Sequence, residues 1–359
     1  MRAELFLPDL FSETGPRWHE VNNEKVHSLL HVLHTYYFIA KEDVCSIKQS
    51  DTIELNSNNF LILTNKNKYV VKRWPIDHGQ NNLNWEINAN LENWLADQNI
   101  HVPTILQSES NEKCIVEYMG CYWCVMYHAD GNYFSGIGSE LQEAGLEICK
   151  LFSSLERVSP HLQPINVVKS LDENLATMIV DLERSQCDWG AIFGEQYVDI
   201  FNDSWSDIKA ELKRLLVEQT SLPLTVGICH IDMHPHNILM LNGKVSAILD
   251  YHSLVMAQRE PILAFNIFKL ARQAMVIIGS KRKDKDIDGQ VVLIIRKLIE
   301  KGVVDEKFYE RVSIYAKMEI MRRLLLIMEL NIKDKNQEWN HILQVQISAL
   351  KEVDVIFSS

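Results

Sequence analysis

His230, Asp232, Asn237 and Asp250 are the residues whose types and spacing could do chemistry in this chain. Three of them fall within His230-Ile231-Asp232-Met233-His234-Pro235-His236-Asn237, and Asp250 follows thirteen residues after Asn237. A carboxylate on a rigid loop can orient or deprotonate an acceptor hydroxyl, and an amide oxygen with a second carboxylate is a hard-oxygen set suited to Mg2+. These are the groups that moving a phosphoryl group to a hydroxyl requires. Asp232 is the candidate base, Asn237 and Asp250 are the candidate metal ligands, and His230 reads as a brace for the loop. His234 and His236 could join His230 at a metal, but a set of hard oxygens favours Mg2+ over zinc. An isolated HxD recurs by chance in polar loops. The downstream Asn and the short apolar strand Val245 to Leu249 leading into Asp250 make this one specific.

The elements that must hold these residues can be read from periodicity. Val26, Leu29, Leu30, Val32, Leu33 and Tyr37 predict an amphipathic helix over 24–40. Phe60 to Leu63, the polar turn Asn65-Lys66-Asn67 and Tyr69 to Trp74, ended by Pro75, predict a hairpin. Asn81 and Asn82 can cap a helix with the stripe Leu83, Ile87, Leu91, Trp94 and Leu95. Strands follow at Cys114 to Met119 and Tyr122 to Tyr127, then a turn at Ala129-Asp130-Gly131. Beyond this the pattern becomes helical. Ser139 with Gln142 suggests a capping box for a helix burying Leu141, Ala144, Ile148, Phe152 and Leu155. Further helices are expected at about 171–184, 205–218, 258–278, 286–302, 305–331 and 336–349.

The totals set the class. The 359 residues are 47% hydrophobic and 23% charged, with only 14 Gly and 9 Pro, a balance typical of folded rather than disordered chains. The formal net charge of −12 argues against nonspecific nucleic-acid or anionic-membrane binding. The N-terminus lacks the apolar stretch of a signal peptide and no run is long enough to span a bilayer, so a cytoplasmic location is expected. Seven Cys without paired spacing read as reduced thiols. Cys121 and Cys124 form a CxxC with no second pair to complete a metal site.

The segment LPLTVGICHIDMHPHNILMLNGKVSAILDYHSL resembles the core of the aminoglycoside phosphotransferase and choline kinase superfamily, with weaker similarity from about residue 50 to about 275. The resemblance implies an α+β, bilobal protein-kinase-like fold. Residues 1–126 would form a small N-lobe with an antiparallel sheet and a helix, and 127–359 a larger, mainly helical C-lobe. It also implies ATP and Mg2+, with Asp232 as catalytic base and Asn237 and Asp250 on the metal. The family's usual Gly between the His and the Asp is Ile231 here, and an Asp it often carries in the helix past the metal ligand is matched by Asn266.

Carried further, the resemblance calls for a strand lysine and a helix glutamate. Lys72 fits the strand position and would reach the α- and β-phosphates, while Arg73 faces the other way. Glu86 is the expected partner of Lys72, with Glu92 as competitor. Leu55 to Phe60 would cover the phosphates through Ser57 and Asn58, in wording similar to the homoserine-kinase-like branch. The adenine would meet backbone groups of Met126 and His128. Asp130, Trp189, Tyr251, His252, Ser253 and Glu260 are candidate cleft residues for an acceptor that could be a sugar, homoserine, choline or an aminoglycoside. A non-catalytic nucleotide-binding protein on the same scaffold is the alternative, and it would be expected to lack one of these groups. A protein kinase is disfavoured, because the chain after Asp250 runs quickly into helix.

Overall fold

Alternation along residues 68–75 divides the first part of the chain into two faces. Tyr69 and Val71 are buried on one side of the strand, in a core with Phe60, Ile62, Trp123 and Val125. Trp74 and Val70 belong with Cys124 and Met126 on the other. In the computed structural model, which describes residues 18–21, 23–50, 58–76, 82–171, 183, 189–278, 285–334 and 339–357, this strand lies inside a six-stranded antiparallel sheet.

The chain enters through β1 (Trp18–Glu20), α1 (Asn23–Tyr37), β2 (Val44–Ser50), β3 (Asn58–Thr64), β4 (Lys68–Pro75), α2 (Asn82–Asp97), β5 (Ile115–Tyr118) and β6 (Cys121–Tyr127). The strand order is β1-β2-β3-β4-β6-β5. Leu29, Val32 and Leu33 of α1 close the outer face. The inner face joins α2 and a large core that continues into the rest of the chain. Cys121 and Cys124 sit three apart on one strand and so belong to opposite cores, which separates them as ligands for one ion.

After β7 (Asn132–Tyr133) the chain becomes mainly helical. It runs through α3 (Glu140–Leu155), α4 (Trp189–Phe193) and α5 (Glu195–Glu218), then β8 (Val226–His230), β9 (Ile238–Leu241), β10 (Lys244–Ile248) and β11 (Leu254–Gln258). It ends with α6 (Arg259–Ile278), α7 (Lys285–Glu300), α8 (Phe308–Asp334) and α9 (Asn340–Phe357). A small antiparallel N-terminal sheet with its helices and a helical C-terminal body make the architecture α+β and bilobal, as the resemblance implies.

The four strands β8 to β11 explain how the motif is held. β8 pairs with β11 so that His230 faces Leu254, and β9 pairs with β10 so that Ile238 faces Ile248. The two intervening segments, 231–237 and 249–253, are therefore fastened to neighbouring strands at both ends and lie side by side.

Some local expectations fail for identifiable reasons. Leu83 is 56% exposed. The buried side of α2 instead includes Asn84, Asn88 and Glu92, spaced by four and therefore on one face. The Ser139 capping box does not form. Ser139 makes no side-chain cap hydrogen bond. Instead the Glu140 carboxylate folds back to accept from Ser135 N, Ser135 Oγ and Gly136 N. β8 and β11 are not among the expected strands, since β8 runs directly into the polar motif and β11 directly into α6 with no turn residue to mark them off. The helix expected over 171–184 falls almost entirely outside the described residues.

Candidate active site

The loop after β8 is built from its own backbone. His230 is buried, and one ring nitrogen, Nε2, lies 2.9 Å from the Leu249 carbonyl oxygen. A carbonyl only accepts, so the His230 proton sits on Nε2 and ties the loop to the segment bearing Asp250. Burial pushes the His230 imidazole toward its neutral form against the pull of Asp250. The His230 carbonyl accepts from Asn266 Nδ2 at 3.2 Å, so this helix residue gives the loop uncharged support.

Asn237 Nδ2 donates to the Asp232 carbonyl at 2.7 Å, and the Asn237 carbonyl accepts from Leu249 N at 2.8 Å. With the amide nitrogen donating to the loop, Oδ1 is the side-chain atom of Asn237 that could serve as a neutral ligand. Ile231 does not disrupt the turn. Its N–H donates to the Ser253 carbonyl at 2.9 Å, and its side chain packs on the main core.

Asp232 remains open to the cleft, its side chain 42% exposed. Oδ2 is 3.4 Å from His234 Nε2, and Oδ1 is 3.7 Å from Arg323 Nη1. His234 Nδ1 accepts the His236 N–H at 3.2 Å, which leaves Nε2 to carry the proton toward Asp232. Partial desolvation by the surrounding loop and α8 opposes charge on Asp232, but His234, Arg323 and His230 together hold its carboxyl well below the usual carboxylate range. Arg323, on α8, was invisible to local reading because it lies 92 residues beyond the loop carbonyl it contacts.

Lys72 projects from β4 toward the other half of the site. Its Nζ is 3.3 Å from Asp250 Oδ1, with both side chains less than one-fifth exposed, and 5.8 Å from the Tyr251 ring centroid. Arg73 lies over Trp123 on the opposite face. Asp250 takes a left-handed conformation, φ 70°, which Asp tolerates and which turns its carboxylate out of the strand direction. Ser253 Oγ donates to Asp250 Oδ2 at 2.7 Å. Burial opposes ionisation of Asp250, yet Lys72, His252 and Ser253 hold its carboxyl down to about 2.

The expected partnership of Lys72 with Glu86 is corrected here. Glu86 accepts the backbone N–H groups of Cys114 and Ile115, each at 2.9 Å, and so fixes the start of β5. The competitor Glu92 is the α2 carboxylate that faces the site. It is 2% exposed; burial raises its pKa well above the ordinary range, with Lys72 opposing and Asp250 adding to the rise. The same face of α2 carries Asn88, whose Nδ2 donates to the Tyr251 and Leu254 carbonyls at 3.2 and 2.9 Å.

The remaining candidates separate clearly. Met126 is buried on the cleft-side face of β6. The His128 N–H cannot read a base edge, because it already donates to the Lys68 carbonyl at 3.0 Å. Ser57 lies outside the described residues, and Asn58 opens β3 opposite Arg73. Asp130 pairs with Lys68 at 2.9 Å on the surface, Trp189 is buried against Phe201 and Trp205, and Glu260 accepts the Thr225 N–H. These last two are structural rather than cleft residues. Tyr251 is buried beneath Lys72, and His252 is packed edge-on against Trp74 and Trp85.

Residues 53–258 match the model of the phosphotransferase enzyme family. No curated protein matches the sequence. Among solved structures, a spectinomycin phosphotransferase determined with ADP and spectinomycin aligns at TM-score 0.61 and 15% identity, covering 93% of this chain and 97% of its own. An amicoumacin kinase gives TM-score 0.61 and 12% identity, with 93% and 94% covered. A choline kinase from Streptococcus pneumoniae gives TM-score 0.55 and 14% identity, with 92% and 99% covered. At such identities the likeness speaks for the fold.

Proposed function

Because the chain belongs to the phosphotransferase enzyme family, we propose that it is a cytoplasmic kinase that moves the γ-phosphoryl group of ATP to a hydroxyl of a small metabolite. The observation that carries this reading is the Lys72–Asp250 approach of 3.3 Å across the cleft, beside a loop that presents Asp232. A lysine, a second carboxylate and the loop carboxylate are the kinds of group that phosphoryl transfer uses, and their occurrence on these neighbouring segments supports the reading.

In this account Lys72 binds the α- and β-phosphates, while Asn237 Oδ1 and the Asp250 carboxylate hold Mg2+. The donor set fits, since both are hard oxygens and Asp250 is anionic across the physiological range. Mg2+ bound there supplies positive charge for the phosphate oxygens. Asp232 accepts a hydrogen bond from the acceptor hydroxyl. As the acceptor oxygen bonds to the γ-phosphorus and the bond to the bridging oxygen breaks, Asp232 takes the hydroxyl proton and ADP leaves. A carboxylate held this strongly anionic is a weak base, so orientation and late proton acceptance are its contribution.

The acceptor belongs to the sugars, amino alcohols such as homoserine or choline, or aminoglycosides. Structural neighbours crystallised with spectinomycin or named as choline kinase support that range. The test is a screen of hydroxyl compounds with ADP release as readout. Asp232→Ala should lose turnover by roughly 100-fold or more while retaining Mg·ATP binding, and Asp250→Ala should weaken Mg·ATP binding itself. Full turnover by Asp232→Ala would remove the assigned base.

A further inference from the structure

Arg323 reaches the base-bearing loop from α8, a helix to which no role in the reaction has been assigned. Its guanidinium is engaged on several sides at once. Nε donates to Glu319 Oε1 at 2.7 Å, Nη2 donates to the Ile231 carbonyl, Nη1 lies 3.7 Å from Asp232 Oδ1, and the group stacks 4.4 Å from the Phe265 ring centroid. We propose that Arg323 is a positioning residue for phosphoryl transfer, fixing both the backbone and the carboxylate of the loop that carries Asp232. This rests on the phosphotransferase reading above.

Charge arithmetic supports the assignment. Glu319 is 2% exposed, and its oxygens also accept from Arg322 Nε and Nη2 at 2.7 and 2.6 Å. Two cations on one buried carboxylate leave an excess positive charge, and Asp232 is the anion beside Arg323 that balances it. Glu319 and Arg322 are buried and Arg323 is mostly so, and the Asp232 carboxylate turned toward α8 offsets the excess at the partly solvated edge of the cluster. Arg323 Nη1 near Oδ1 and His234 Nε2 near Oδ2 then restrict rotation of the carboxylate from both sides.

The geometry also requires Arg in particular. One rigid planar group addresses a carboxylate, a carbonyl and a second carboxylate in different directions, which the single ammonium of Lys cannot reproduce. The carbonyl it holds belongs to Ile231, at the position where the family usually has Gly. Phe265 beneath the guanidinium is on α6 next to Asn266, which holds the His230 carbonyl. Two helices thus grip successive carbonyls of the loop, α6 at His230 and α8 at Ile231.

The experiment compares Arg323→Met and Arg323→Lys with the unaltered protein. Until an acceptor is known, Mg·ATP with water as acceptor serves as the probe, and backbone hydrogen exchange over 228–240 is followed in parallel. For Arg323→Met, kcat should fall on the order of 100-fold while KM for Mg·ATP stays within about two-fold, because misplacement of the base affects the transition state and not nucleotide binding. Exchange over the loop should accelerate, and Arg323→Lys should recover part of kcat. Unchanged kcat and exchange in Arg323→Met, or a loss confined to KM for Mg·ATP, would overturn the proposal. If Arg323→Met does not fold, Arg323→Gln, which keeps a polar group in the cluster and leaves the Glu319–Arg322 pair intact, is read in the same way. Should the unaltered protein neither bind nor hydrolyse Mg·ATP, the phosphotransferase reading fails, and the exchange measurement alone decides whether Arg323 holds the loop.

Discussion

Replacing Lys72 by Met removes the cation from its 3.3 Å pair with Asp250 and should first be felt as lost stability. Burial works against ionised Asp250, and Lys72 leads the groups that outweigh it, so the carboxyl sits at about 2 against an ordinary 3.8. At about 1.4 kcal/mol for each tenfold change, the groups favouring the anion exceed burial by roughly 2.5 kcal/mol. The two side chains are 13% and 18% exposed, too little for solvent to screen that away. A bare Coulomb term at this distance with an effective dielectric of about 20 gives roughly 5 kcal/mol, an overestimate because it omits desolvation. His252 and Ser253 share the work, so about 1.5–2.5 kcal/mol is expected for Lys72→Met. A carboxyl whose pKa is depressed on folding stabilises the fold fully above its unfolded value and loses this as pH falls from about 3.8 to about 2, so pH 7 shows the whole effect. Urea unfolding of the unaltered protein, Lys72→Met, Asp250→Asn and the double variant at pH 7 should yield a coupling of about 1.5–2.5 kcal/mol. Additivity within about 0.5 kcal/mol would refute the reasoning.

Other outcomes follow from the same geometry. Glu92 has a pKa raised by burial, so its ionisation opposes folding as pH climbs through that raised value. Glu92→Gln should therefore raise the melting temperature increasingly as pH rises above the ordinary carboxylate range and do little near pH 4, while weakening Mg·ATP binding; a melting temperature that falls relative to the unaltered protein as pH rises would contradict this. Glu86→Ala leaves two backbone N–H groups at the start of β5 without their acceptor. It should cost about 1–3 kcal/mol in chemical denaturation while leaving KM for Mg·ATP within about two-fold, and a dominant effect on nucleotide binding would restore Glu86 as the partner of Lys72. Asn266→Leu should destabilise by about 1–3 kcal/mol through the freed His230 carbonyl, and an unchanged urea midpoint would argue against that role.

What the sequence disclosed and what it hid have the same physical origin. Lys72 was legible because strand alternation is short-ranged, and the next residue, Arg73, had to face away. The loop was legible because His230, Asp232, Asn237 and Asp250 are neighbours along the chain as well as in space. Glu92 was misjudged because apolar periodicity assumes that an apolar face is the buried one. In α2 one buried face carries polar groups: Asn84 accepts the Ile165 and Asn166 N–H groups, Asn88 holds the carbonyls of Tyr251 and Leu254, and Glu92 is buried near Lys72. The His128 N–H was lost to a hydrogen bond with Lys68 that depends on strand register, and register is not written in either strand alone. Arg323 shows the limit most plainly, since it reads as one more charge on a helix until folding brings it to Asp232.

Phosphorus NMR of Mg·ATP incubated with pooled hydroxyl compounds tests the central claim most directly. The account predicts a new phosphomonoester resonance that grows in step with ADP and is absent with Asp232→Ala. Unchanged ATP across sugars, amino alcohols and aminoglycosides alike, or ADP formed with inorganic phosphate as its only companion product, would contradict it.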